Sequence, residues 1–149
     1  MSQWLTRLTA TELNSVKNDG RGLWSLNAPL SFASDVAYSY WISQGKTSPE
    51  AFLMAVLVAP AGFTTDFMSV PPEVPDAPRL ARSRRAGALH DWLYSAPHYI
   101  NNRDICDLIL KEMFVADAVE DGETDLVALN IEAELVYAGV RAGGASHWD

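Results

Sequence analysis

The chain has a single cysteine, Cys106, which rules out an internal disulfide and any clustered thiolate or iron–sulfur site held within one copy. Basic residues are scarce: 11 Lys and Arg stand against 19 Asp and Glu, a formal net charge of −8. Such a surface repels a phosphate backbone, so no nucleic acid is expected among the partners. Long hydrophobic runs are missing too. The longest, residues 51–63, is broken by Pro60 and Gly62 and falls short of the roughly 20 residues a membrane helix needs, so no membrane span is expected. The opening residues lack the apolar core of a secretory signal. No low-complexity tract and no internal repeat suggests a division of the chain.

What is present suits a packed interior. Hydrophobic residues make up 48% of the 149, and five Trp, five Tyr and five Phe supply large core anchors. We expect one compact domain over residues 1–149, with residues 1–19 forming an arm or a short helix.

The alternation of Trp24, Leu26, Leu30, Phe32, Val36, Tyr38 and Tyr40 predicts two short strands or a hairpin across Leu23 to Trp41. Ser48-Pro49-Glu50 has the chemistry of a helix start, and the apolar run ending at Pro60 is assigned to a strand over its latter half. Four prolines from Pro71 to Pro78 predict a fixed loop. Three helices then follow: one over residues 82–94, one capped by Asn102, and one beginning at Thr124. The last is expected to stop at Gly143-Gly144 through a left-handed residue. The fold class is α+β, with short N-terminal antiparallel strands packed against about three C-terminal helices.

Chemistry concentrates in GFTTDFMSVPP (residues 62–72) and LHDWLY (residues 89–94). Asp66 can serve as a base or hold a cation, and Ser69 can contact a ligand through its hydroxyl. His90 offers an imidazole that can act as a base or give one ring nitrogen to a metal, and Tyr94, four residues on, shares its helix face. Asp91 points about 100° away from His90, so it does not automatically orient the imidazole. One reading makes Asp66, His90 and Asp91 both a catalytic set and the ligands of a divalent metal with an open position for water. Ser69, Tyr94, Arg103 and Asp107 would then contact the ligand. The competing reading gives these residues capping and core roles. Arg103 and Asp107, or Asp107 and Lys111, are spaced to pair along one helix. Arg141 is assigned to packing and helix termination, Cys106 to packing, and Arg79, Arg82, Arg84 and Arg85 to local ion pairs or an acidic partner.

GFTTDFMSVPP, ALHDWLY, RDICDLILKEMF and YAGVRAGGASHW, taken in order, resemble the DUF1353 family met in tailed phages and prophages. The resemblance runs from about Leu23 to Trp148. It includes Gly62, Phe63, Asp66, Ser69, Pro71, His90, Asp91, Leu93, Tyr94, Asp107, Phe114, Tyr137, Val140, Arg141, Gly144 and Trp148. Met68 stands where a smaller residue is usual and Pro72 where a basic one is, which departs from a phosphate- or acid-clamping loop. The resemblance implies a virion-associated structural protein made in the host cytoplasm and carried in the tail or tail tip. Its expected partners are other phage structural proteins and further copies of itself, with any exposed tryptophan as an interface anchor and most tryptophans packed internally. The alternatives are a metal-assisted hydrolase of peptidoglycan or peptide bonds, and an intracellular assembly factor.

Overall fold

The computed structural model describes residues 2–16, 22–66 and 83–149. Four strands come first: β1 (Gln3–Trp4), β2 (Ala10–Val16), β3 (Gly22–Leu26) and β4 (Leu30–Ala33). Helices α1 (Asp35–Ser43) and α2 (Ser48–Met54) follow, then strands β5 (Val56–Ala59) and β6 (Thr64–Thr65). The chain continues through α3 (Arg84–Tyr94), α4 (Arg103–Glu120) and α5 (Leu126–Gly143) into a 3-10 turn, Gly144–His147. The α+β class holds. The expected succession of a sheet and then three helices does not, because α1 and α2 lie between strands.

Two local readings are corrected. Residues 3–4 and 10–16 are strands where an arm or short helix was expected. Val36, Tyr38 and Tyr40 belong to a helix, although their spacing by two reads as a strand. The reason is capping from a distance. Ser34 Oγ accepts from Ala37 N at 2.9 Å, and the carboxylate of Glu112, far along the chain on α4, accepts from Asp35 N at 2.7 Å and Val36 N at 3.3 Å. Three of the amides left open at a helix start are thereby satisfied, two of them by a residue no local pattern reveals.

The other helix starts follow local chemistry. Thr47 accepts from Glu50 N, with proline in the first turn of α2. Asn102 accepts from Ile105 N, as expected, and Asp125, one residue past the expected Thr124, accepts from Ala128 N. Gly122, with φ +93°, closes the turn after α4. Gly144 departs from expectation: its φ of −82° is right-handed, so something other than backbone handedness requires glycine there.

The strands form two three-stranded antiparallel sheets, ordered β1-β4-β5 and β2-β3-β6. In the first, Trp4, Phe32 and Leu57 lie in one cross-strand row and are all buried, the Trp4 and Phe32 rings meeting edge to face at 4.8 Å. Helix α3 packs against β4, β5, β6 and α4, and is buried along Ala86, Gly87, Ala88, Leu89, His90, Leu93 and Tyr94. Helix α4 in turn contacts α1, α3 and α5. The central helix pair thus carries polar residues into the interior.

Candidate functional site

Asp107 lies on the buried side of α4 and has no solvent exposure. A carboxylate there is costly unless its oxygens accept hydrogen bonds, and donors arrive from both neighbouring helices. From α3, His90 Nε2 stands 3.0 Å from Oδ1 and the Tyr94 hydroxyl donates to the same oxygen at 2.5 Å. From α5, Arg141 Nη1 donates to Oδ2 at 2.8 Å. Arg103, one turn before Asp107, holds its Nε 3.9 Å from Oδ2 and donates to the Tyr94 hydroxyl at 3.1 Å. The four-residue spacing of His90 and Tyr94 does place both on one target.

Arg103 also reaches the end of α5, donating from Nη2 to the carbonyls of Val140 at 2.9 Å and Arg141 at 3.0 Å. It occupies the termination role the sequence assigned to Arg141, while Arg141 takes the carboxylate. A guanidinium at the negative end of a helix dipole is favourable on both counts.

Burial acts on these groups in opposing ways. Burial alone would raise the Asp107 carboxyl. Hydrogen bonds from His90 and Tyr94, the charge of His90 and the bond from Arg141 outweigh it and hold Asp107 below the usual aspartate value. The Tyr94 hydroxyl is driven well above its ordinary value by burial and by donating to Asp107. Cys106 is fully buried, its thiol pushed up to about 12 by burial and by neighbouring Asp107, which fits the expected packing role.

Asp91, pointing away from His90 as helix geometry requires, accepts from Thr65 Oγ1 of β6 at 2.6 Å. Asp66, half-buried, follows Thr65 directly. Among the described residues no group of three or more His, Cys, Asp or Glu side chains is disposed to hold a metal ion. The expected Asp66, His90 and Asp91 set is therefore not gathered into one: His90 turns to α4 while Asp91 turns to β6. Ser69, the proline loop, Arg79 and Arg82 lie outside the described residues.

The remaining expectations divide. Arg85 makes the local ion pairs foreseen for it, with Asp117 at 2.5 Å and Glu120 at 2.8 Å, and lies 4.5 Å over the Trp4 ring. Lys111 pairs with Glu134 of α5 and not with Asp107. His98 bonds the Tyr94 carbonyl through Nε2 at 3.1 Å and stacks its ring on Trp148 at 3.8 Å, and Trp148 meets Tyr94 edge to face. Trp4 is buried, and Trp24, Trp41, Trp92 and Trp148 are half-buried. Sequence reasoning missed Glu112 as a capping residue and Thr65 as the partner of Asp91. Neither carries a local signal.

A buried carboxylate bound by three helices, on a base of two small sheets, defines the class: an α+β protein with an internal polar cluster. A family model described as "Protein of unknown function (DUF1353)" matches residues 46–129, more than half of the chain, and the chain belongs to this family. The matched range contains His90, Asp91, Tyr94, Arg103 and Asp107, while Arg141, Gly144 and Trp148 lie beyond it. No curated protein and no solved structure matches.

Proposed function

We propose that this protein is a structural component of a phage particle, carried in the tail or tail tip, whose buried cluster holds a scaffold together. The observation behind this reading is the saturation of Asp107. Both oxygens accept from the chain's own side chains, with His90 and Tyr94 almost fully buried beside them. A polar network satisfied in this way fixes one arrangement of its helices. The family resemblance supplies the phage setting. The test is mass spectrometry and immuno-electron microscopy of purified particles from a lysogen carrying this chain. Signal at the tail at fixed stoichiometry is expected. Presence in the lysate but absence from mature particles would replace this reading with an assembly factor.

One observation favours a second reading. His90 with Asp107 on Nε2 has the form of an oriented acid–base residue, its Nδ1 left for proton transfer. In that reading the protein hydrolyses peptidoglycan or a peptide bond, with Asp66, just after β6, and Asp91 of α3 as the further acidic groups. Any divalent metal would need ligands beyond the described residues. Release of soluble fragments from purified cell walls, abolished by His90→Gln in a folded variant, would decide for it.

A further inference from the structure

Helix α5 carries a ridge that none of the described residues covers. Val127, Ile131 and Leu135 are 73%, 59% and 52% exposed, and Ala138 and Ala142 continue the same line in the open. Spacings of four, four, three and four place all five within an arc of about 80° at 100° per residue. The line has no charged side chain, in a chain whose net charge is −8. Glu134, at its border, is paired with Lys111 of the same chain.

We infer that this ridge joins two copies of the chain, α5 against α5 in antiparallel orientation. The ridge is bulky toward its start and small toward its end, so a two-fold axis crossing it at the level of residue 133 seats Ile131 against the partner copy's Leu135 and Val127 against its Ala138. The same axis opposes the helix dipoles favourably, the start of each α5 lying beside the end of the other, where Arg141 is already paired with Asp107 and faces Asp104 of its own chain. Parallel pairing sets Ala142 on Ala142, leaving a gap, and Arg141 on Arg141. An 18-residue helix is about 27 Å long. Pairing along one such ridge buries on the order of 1,000 Å², the lower edge of specific interfaces, so a weak, concentration-dependent dimer is expected. This surface is separate from the Asp107 cluster and the inference does not depend on where in a particle the chain resides.

The test is sedimentation equilibrium of the full chain across the micromolar range, alone and as Ile131→Lys, with circular dichroism to verify folding of this exposed-site variant. A concentration-dependent dimer is expected, its dissociation constant raised at least tenfold by the substitution. Orientation is read from two single variants, Val127→Cys and Ala138→Cys. Mixed together and oxidised they should cross-link, while each alone should not, and buried Cys106 stays out of the reaction. A monomer throughout the range, a dimer indifferent to Ile131→Lys, or self-cross-linking of Val127→Cys would each overturn the inference.

Discussion

The Tyr94 hydroxyl lies 2.7 Å from the point a β-carbon would occupy on Gly144, and the Arg103 guanidinium lies 3.1 Å from it. Both groups are already committed to the Asp107 cluster, so neither can swing away freely. Gly144→Ala should therefore cost about 1–3 kcal/mol, the usual range for overpacking, measured by urea unfolding. Adding Tyr94→Phe removes the obstructing oxygen, so the double variant should lose less than the two single losses combined. Strict additivity would show that the close approach is not what makes glycine necessary.

Asp107→Asn preserves shape but removes the charge that Arg141 and His90 approach, and turns an amide donor toward other donors. Breaking a buried pair on one side costs roughly 3–5 kcal/mol. The loss should appear as a lowered unfolding midpoint. A variant as stable as the parent would mean that the cluster contributes nothing to holding the helices.

Two carboxyls on α4 should respond to pH in opposite senses. Asp107 titrates below its ordinary value of 3.8, so its contribution is in place above that value and is lost as pH falls through the lower folded value. Glu112 titrates above its ordinary 4.5, because burial outweighs the hydrogen bonds it accepts from Ser2, Ser34, Asp35 and Val36. Its contribution is fully present below 4.5 and declines as pH rises through the folded value. Asp117, raised by burial despite Arg85, acts in the same direction as Glu112. Glu112→Gln should flatten the stability profile just above pH 4.5 and leave the acid limb unchanged. An unaltered slope there would remove Glu112 as its source.

Ser34 supplies the side-chain cap of α1 and also donates to Glu112 Oε1 at 2.6 Å. Ser34→Ala should cost about 1 kcal/mol. The loss should be read locally, as faster amide exchange at Ala37 and its neighbours, with α4 and α5 unchanged. Uniform acceleration through the chain would mean that the cap is not a local device.

Much of the helical half was legible, because Asn102, the serine-proline start of α2 and the apolar periodicity of α4 and α5 are statements about neighbouring residues. The failures were of another kind. Tyr38 and Tyr40 were read as strand because the carboxylate that helps start their helix is Glu112, distant in sequence. The site was half legible in the same sense. His90 and Tyr94 share a face by arithmetic, but helix packing alone determines that this face meets Asp107 and Arg141. The assignment of helix termination to Arg141 fails for that reason too: which arginine caps α5 and which binds Asp107 depends on the approach of α5 to α4.

Arg103 binds Tyr94 on one side and the last carbonyls of α5 on the other, so the end of α5 cannot fray without disturbing α3. Together with the Asp107 bonds this makes α3, α4 and α5 a single cooperative unit in unfolding. The β2-β3-β6 sheet joins that unit through packing and the Thr65 to Asp91 bond. On heating, the three helices should therefore give way all at once.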